Sequence, residues 1–165
     1  MDSPSLCVVD ANILIDLHVG GVLREAFSLS IRLVAPDVVI GELEVPDGGR
    51  LLEYGLESRT LSGEQVQEVV HLRARYRAVS ANDLSALVLA RALQVPLLTG
   101  DRHLRKAAGK EGVAVHGTLW LLEEMVQREA ITPLRAAEAL ERMLNRGSRL
   151  PWAECQRRIR RWRGE

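Results

Sequence analysis

Four acidic residues occupy positions in the sequence where a functional site could form. Asp10 and Asp101 each follow closely on a short apolar run that predicts a strand. Glu42 and Asp83 fall in the first turns of predicted helices. Carboxylates that converge repel one another unless a cation neutralises them, and oxygen ligands select Mg²⁺ or Mn²⁺ over softer metals. Because such ions promote the hydrolysis of phosphodiesters, the pattern predicts metal-dependent phosphoryl chemistry.

The elements that must position these acids alternate along the chain. Short apolar runs between longer helical patterns are typical of βαβ units and a parallel sheet. Strands are predicted at residues 6–9, at 31–35, within 56–61, at 95–99 and at 113–116. Helices are predicted over residues 13–27 with a break at Gly20 and Gly21, from an N-cap at Asp37, over 64–79 and 81–93, near Leu104, from a cap at Thr118 to 127, from 133 and from 151. The sequence therefore predicts an α/β fold with five strands.

One edge of that sheet would collect the polar residues. In an open parallel sheet the ligand site lies beyond the carboxyl ends of the strands. Asp10 and Asn12 follow the first strand, and Thr99 and Asp101 lie at the end of the fourth. The two helical acids would leave from the same edge, so we expect all four carboxylates to meet there.

Each of the four acids also has another interpretation, and an Asp that follows a strand, as Asp10 and Asp101 do, is most often a turn or cap residue. Ser80 and Asp83 have the spacing of a capping box, in which the acid accepts from the first free N–H groups of a helix. Against this, Asp83 lies one turn before Leu87, at the edge of the predicted buried stripe rather than on the solvated face. Glu42 could be a solvated helix residue, and Glu44 is a competing acid two positions on. Placement alone leaves these alternatives open.

Four segments of the chain resemble the motifs of PIN-domain nucleases, and of VapC-like members in particular. The segments are Val8-Val9-Asp10-Ala11-Asn12-Ile13-Leu14-Ile15, Pro36-x-x-Val39-x-x-Glu42-Leu43, Asn82-Asp83-Leu84-Ser85-Ala86-Leu87-x-Leu89-Ala90 and Pro96-Leu97-Leu98-Thr99-Gly100-Asp101-x-x-Leu104. The alignment of the second segment favours Glu42 over Glu44. Residues 113–122 also resemble the last strand and helix of VapC-like proteins, so the resemblance runs from about Leu6 to Leu122.

The resemblance implies a three-layer α/β/α sandwich with a five-stranded parallel sheet, and RNA cleavage that depends on Mg²⁺ or Mn²⁺. Many VapC-like members are toxins, so it also implies an antitoxin protein as a partner, and a homodimer. By position, the resemblance assigns a catalytic, metal-binding quartet and two supporting polar residues. The quartet is Asp10, Glu42, Asp83 and Asp101, and the supporting residues are Asn12 and Thr99.

The C-terminal part of the chain continues past the region of resemblance. We predict a PIN-like nuclease domain over residues 1–128 and a C-terminal helical extension with a basic tail over residues 129–165. Residues 151–165 contain five Arg and two Glu, whereas residues 1–150 contain 17 basic and 20 acidic side chains. The last helix would dock one apolar face and expose arginines that are candidate RNA contacts. The apolar face is Trp152, Cys155, Ile159 and Trp162, and the arginines are Arg157, Arg158, Arg160 and Arg161.

Composition excludes several classes of protein. Of the 165 residues, 47% are hydrophobic and 27% are charged, as in ordinary globular domains. The 22 basic and 22 acidic side chains cancel, which excludes a uniformly basic nucleic-acid-binding protein. Cys7 and Cys155 fit neither a zinc site nor a disulfide framework and are expected to be buried thiols. No apolar run approaches the ~20 residues that span a bilayer, so a cytoplasmic protein without a membrane partner is expected.

The first hypothesis is therefore a metal-dependent endoribonuclease in which the four acids hold the cation. The alternative is a catalytically silent PIN-like module that binds RNA or protein. A receiver-like signalling domain would need a Lys after a late strand, where this chain has Gly117 and Thr118. A phosphatase of the haloacid-dehalogenase type would need Asp-x-Asp, where this chain has Asp10-Ala11-Asn12.

Overall fold

A five-stranded parallel sheet forms the centre of the structure, a computed structural model that describes residues 4–165. Its strands are β1 (Leu6–Val9), β2 (Arg32–Pro36), β3 (Glu57–Arg59), β4 (Leu97–Leu98) and β5 (Val115–His116). The spatial order is β3-β2-β1-β4-β5, and every neighbouring pair is parallel. The chain thus builds outward from β1 to β3 and then crosses to β4 on the other side of β1. Ligands of open α/β sheets bind in the crevice at such a reversal of strand order.

Ten helices accompany the sheet within the described part of the chain. They are α1 (Ala11–Gly20), α2 (Leu23–Ala26), α3 (Asp37–Gly41), α4 (Gly48–Tyr54), α5 (Gly63–Arg75), α6 (Ala81–Leu93), α7 (Arg102–Lys110), α8 (Thr118–Gln127), α9 (Pro133–Asn145) and α10 (Trp152–Arg163). Of these helices in residues 4–165, none combines the length and the apolar character that a bilayer span requires.

Alternate residues of the central strands enter two separate hydrophobic cores. In β1, Cys7 and Val9 belong to the core that α1, α8 and α9 also line. Val8 belongs instead to the core on the opposite face, which α5, α6 and α7 line. A strand buried on both faces is typical of a parallel sheet covered by helices on each side. The predicted three-layer α/β/α sandwich is therefore confirmed, and Cys7 and Cys155 are buried free thiols as expected.

Both C-terminal helices pack onto the body of the protein. α9 lies against α1 so closely that a Cβ built on Gly20 would be 2.6 Å from Cε of Met143. α10 packs on α9 and places Cys155, Ile159 and Trp162 in the same core as β1. Trp152 is 66% exposed, so its predicted place on the buried face is wrong; it is the first residue of α10, and the buried face begins one turn later at Cys155. The position of a domain boundary at residues 128–129 stays a prediction.

Two predicted helix caps are displaced by one residue. Pro36 occupies the N-cap position of α3, and Asp37 is the first helical residue. Gly117 likewise precedes α8, which begins at Thr118. Both polar side chains bond to distant elements instead, since the Thr60 hydroxyl donates to Asp37 (2.8 Å) and the Thr118 hydroxyl donates to an acid of α1 (3.0 Å). A local pattern cannot distinguish such tertiary bonds from a cap.

α3 is shorter than predicted, which changes the position of Glu42. The helix ends at Gly41, so Glu42 is its C-cap residue rather than part of a first turn. The next helix, α4, is absent from the sequence prediction because Pro46 and the Gly48-Gly49 pair indicate a turn. Asp47 nevertheless starts α4 by accepting from the Arg50 N–H at 3.3 Å.

The contact between α3 and α4 leads to a stability prediction at Gly48. A Cβ on Gly48 would lie 2.8 Å from the backbone oxygen of Ile40, and this oxygen cannot rotate away as a side chain could. We expect Gly48→Ala to lower the free energy of unfolding by ~1–3 kcal/mol, as overpacking does. Gly41→Ala on the same α3 is the control, since its Cβ would meet no heavy atom within 4 Å. Urea unfolding of both variants checks this, and equal stabilities would contradict it.

Candidate active site

Asp10 is buried where β1 passes into α1. Its backbone is extended (φ −85°, ψ 170°), which places it at the N-cap of α1, a position that favours Asp. Oδ1 accepts from the Ile13 N–H at 3.0 Å, and Oδ2 accepts from the Thr99 hydroxyl. Only 1% of Asp10 is exposed. Both carboxylate oxygens are therefore held by donors from two different elements, and the orientation of the side chain is fixed.

Thr99 connects the ends of the two central strands. It is fully buried directly after β4, and its backbone N–H donates to the His116 oxygen at 2.9 Å. Its hydroxyl donates to Asp10 and accepts from the Asp101 N–H at 3.1 Å. Asp101 then caps α7, since Oδ1 accepts from the Leu104 N–H at 2.7 Å. One hydroxyl thus sets the relative position of two of the predicted acids.

The bridging hydroxyl makes Thr99 a sharp test of this arrangement. We expect Thr99→Val to lower the free energy of unfolding by ~1–3 kcal/mol, because the isosteric side chain leaves buried polar groups of Asp10 and Asp101 without a partner. Thr99→Ser keeps the hydroxyl and is expected to lose only about 1 kcal/mol for its missing methyl group. Urea unfolding at pH 7 measures both variants. A Ser variant as unstable as the Val variant would contradict the bridging role.

Asp83 and Glu42 reach the same edge from α6 and α3. Ser80 caps α6 by accepting from the Asp83 N–H at 3.1 Å, so Asp83 lies in the first turn as predicted. The Asn82 side chain donates to Oε2 of Glu42 at 2.7 Å and ties the end of α3 to the start of α6. The structure therefore brings Glu42 and Asp83 close together. Their roles as ligands stay predictions.

Asp83 interacts electrostatically with each of the other three acids. Burial is the main cause that raises the pKa of Asp83, and the charges of Asp101 and Glu42 raise it further, against a hydrogen bond with Ser80 that lowers it. The charge of Asp83 in turn raises the pKa of Asp10. Asp83 is thus the acid to which the charges of the other three are coupled.

Asp10 carries the largest perturbation in this group. Burial raises the pKa of Asp10 to about 7, although the hydrogen bonds from Thr99 and Ile13 favour the ionised form. The charges of Asp83 and Asp16 act in the same direction as burial. A carboxyl group that is buried beside other carboxylates is a typical candidate for a functional role.

The donor set at this edge fits a hard divalent cation in its chemistry. Every side chain that the prediction assigns to the site offers oxygen, which is what Mg²⁺ and Mn²⁺ prefer. Residues 4–165 nevertheless contain no group of three or more His, Cys, Asp or Glu side chains already arranged to hold a metal ion. The four carboxylates are therefore neighbours in one charged rim and do not form a finished coordination shell.

The remaining predicted residues have different surroundings. Asn12 is exposed on the first turn of α1 and lines a cleft beside Asp101. Of the four candidate RNA-contacting arginines, Arg158 and Arg161 both form ion pairs with Glu123. The other two, Arg157 and Arg160, are exposed on α10 without an ion-pair partner among the described residues. Contact with RNA stays a prediction for all four.

Comparison with known families identifies the family of the chain. The family model described as DUF3368: PIN domain matches residues 6–164. The chain belongs to this PIN-domain family. The match includes α9 and α10 as well as the sheet, and the PIN fold is generally that of metal-dependent nucleases. The recognition of a PIN domain from the four sequence motifs is therefore confirmed.

This PIN domain also has a counterpart among solved structures. A PilT N-terminus domain protein from the hyperthermophilic archaeon Sulfolobus solfataricus P2 superposes with a TM-score of 0.52 and 14% sequence identity. The alignment covers 74% of this chain and 94% of that chain. At this identity the likeness concerns the fold alone. No curated protein matches the chain at a significant level.

Two polar residues of this PIN domain were not predicted to have a role. Asn82 holds Glu42, and the only signal in the sequence is its place directly before Asp83. Asp16 on α1 accepts from Thr118 and from Ser148, which is 132 residues away in the chain. No spacing rule indicates a contact across that separation.

Proposed function

We propose that this PIN domain is a metal-dependent endoribonuclease that hydrolyses the phosphodiester bonds of RNA. The observation that supports the proposal is that Asp83 lies close enough to Asp10, Glu42 and Asp101 to be coupled to each of them electrostatically, although the four acids come from four separate segments. Carboxylates placed so close together destabilise the fold unless a cation neutralises them. Groups that are perturbed in this way are typical of functional sites. Binding Mg²⁺ or Mn²⁺ is the purpose that suits an all-oxygen donor set.

Some of the side chains would bind the cation, and others orient the side chains that bind it. A bound divalent cation would neutralise the phosphodiester and make water a nucleophile near neutral pH. Thr99 fixes the two acids that follow β1 and β4, and Asn82 keeps Glu42 beside Asp83. Asn12 supplies a further polar group on the exposed side. The residues proposed to hold the cation are Asp10, Glu42, Asp83 and Asp101.

A cleavage assay tests the proposal. The full chain is incubated with an end-labelled single-stranded RNA of mixed sequence in MgCl₂, in MnCl₂ and in EDTA. We expect shortened products with either cation and none in EDTA. Cleavage that persists in EDTA would exclude a metal-dependent enzyme, and binding without cleavage in every buffer would favour the catalytically silent module.

Two neighbouring acids provide a matched pair for the same assay. Glu42 and Glu44 are both exposed and only two residues apart, but the bond from Asn82 and the coupling to Asp83 involve Glu42. We expect Glu42→Gln to lower the cleavage rate by at least ~10–100-fold, since losing even an outer-shell partner of a metal ligand has an effect of that size. Glu44→Gln is expected to leave the rate unchanged. The reverse result would assign the site to the other acid.

We further propose that the enzyme acts in the cytoplasm as the toxin of a toxin–antitoxin pair, as a VapC-like homodimer with an antitoxin protein as its partner. The motifs that resemble VapC-like proteins support this more specific role. Expression of the wild-type chain would then arrest growth, while Asp83→Asn would not. Growth arrest by both chains would contradict a toxin that acts through RNA cleavage.

A further inference from the structure

A cleft of about 650 Å³ opens next to Asp101 and runs along α1. One wall is formed by α1 and contains Asn12 and Asp16. Another is the turn between β4 and α7, which contributes Asp101 and Arg102. The remaining wall is the connection between α9 and α10, residues 146–149, which we call the arginine loop. Of the four proposed cation-binding acids, Asp101 alone lines this cleft, and the cleft leads from Asp101 to a part of the chain that lies outside the sheet.

The arginine loop places cations opposite an acidic site. Arg146 and Arg149 are exposed, line the cleft and have no ion-pair partner among residues 4–165, and the same holds for Arg102 across the cleft. On α10, Arg158 pairs with Glu123 and Arg163 pairs with Glu141 at 2.8 Å, and the unpaired Arg157 and Arg160 do not line the cleft. Arginines that face the cleft thus keep their charge available for a ligand, although the chain as a whole has no net charge.

Asp16 holds the arginine loop in place through a hydrogen bond. Its Oδ1 accepts from the Ser148 hydroxyl at 2.8 Å, and its Oδ2 accepts from the Thr118 hydroxyl at 3.0 Å. Ser148 lies between Arg146 and Arg149, so this bond fixes the segment that carries both arginines against α1. Asp16 is one helical turn after Asn12 on α1. The start of this helix therefore lies beside Asp101, and its next turn holds the arginine loop.

We propose that this cleft binds the phosphate backbone of a single-stranded RNA, with Arg146 and Arg149 as its phosphate contacts. The inference rests on the proposed function. Because the four proposed cation-binding acids repel phosphate, an RNA substrate needs separate cationic groups to bind its backbone. Arginine guanidinium groups bind phosphate oxygens in a bidentate manner. Contacts of this kind supply most of the sequence-independent affinity of nucleic-acid-binding proteins.

Salt-dependent binding measures the contribution of the loop. The probe is a fluorescein-labelled single-stranded RNA of mixed sequence, titrated in EDTA with the full chain carrying Asp83→Asn, so that under the proposed function it is not cut during the titration. We expect the further changes Arg146→Ala and Arg149→Ala to weaken binding about tenfold and to reduce the slope of log K against log salt by ~1.4, from ~0.7 per phosphate contact. Unchanged affinity and slope would overturn the proposal.

The control removes two other cations from the edge that carries the amino ends of the strands. Arg24 on α2 and Lys110 at the end of α7 are exposed and precede β2 and β5. Arg24→Ala combined with Lys110→Ala is expected to change RNA affinity less than twofold. Equal losses in the two double variants would mean diffuse attraction and would overturn the proposal.

Competition and cleavage distinguish this inference from the proposed function. If the arginine-loop variant binds RNA normally but loses affinity for an acidic peptide, the cleft takes a protein and the inference is wrong. If the wild-type chain binds through the loop but cleaves nothing, the enzyme proposal fails while the inference stands. If cleavage occurs and the loop variant keeps the wild-type KM, the inference fails while the enzyme proposal stands.

Discussion

Replacing Asp83 by Asn is expected to slow RNA cleavage strongly without weakening the fold. Asp83 is the acid that is coupled electrostatically to each of the three others. Losing its charge therefore changes the surroundings of all four proposed cation ligands. We expect kcat/KM to fall by ~10²–10³-fold, which is the usual effect of losing one preorganised electrostatic contact. A rate close to that of the wild type would contradict a catalytic role for this residue.

Stability should move in the opposite direction from activity in this variant. A carboxyl group whose folded-state pKa is raised is harder to ionise in the folded than in the unfolded chain. At pH 7, which is above the pKa of Asp in the unfolded chain, the raised pKa of Asp83 therefore lowers the free energy of unfolding, and Asn removes that penalty. Urea unfolding in EDTA should show an Asp83→Asn variant at least as stable as the wild type. A less stable variant would mean that Asp83 supports the fold instead.

Cation binding gives the same variant a third measurement. A ligand that binds only the folded state stabilises it by about 2.7 kcal/mol at 100 times its Kd. MnCl₂ should therefore raise the Tm of the wild type and leave that of Asp83→Asn almost unchanged. The same shift in both proteins would place the cation elsewhere.

Trp162→Ala is expected to lower the free energy of unfolding by ~3–5 kcal/mol, the range for large aromatic residues in a core. Trp162 is 8% exposed in the core that joins α10 to α9 and β1. Trp152 on the same helix is 66% exposed, so Trp152→Ala should change stability by less than ~0.5 kcal/mol. Thermal and urea unfolding of the two variants measure the difference, and similar values would contradict the docking of α10.

The expected cost at Trp162 also decides how RNA binding by the tail can be tested. Removal of residues 151–165 would take Cys155, Ile159 and Trp162 out of the core, so lost RNA binding would not distinguish an arm from an unfolded protein. Point variants of exposed arginines avoid this problem. They leave the buried face of α10 intact and change only the charge.

The sequence was sufficient wherever one local signal fixed both an element and its polar end. Asp10 after β1 and Asp83 behind the Ser80 cap are of this kind, because burial periodicity and capping are local. Glu42 needed the family motif, since its helix is short and Glu44 offers the same chemistry. The bonds of Asp16 to Ser148 and of Thr118 to Asp16 had no sequence signal, because tertiary contacts brought those hydroxyls to the acid.

The close packing of α9 on α1 limits how this protein can assemble. A chain that ended near residue 128 would leave that side of α1 open to a second subunit or an inhibitor. Here Met143 and Ala139 already occupy the space beside Gly20. That side of α1 is therefore closed to a second subunit, and the proposed homodimer would use another surface.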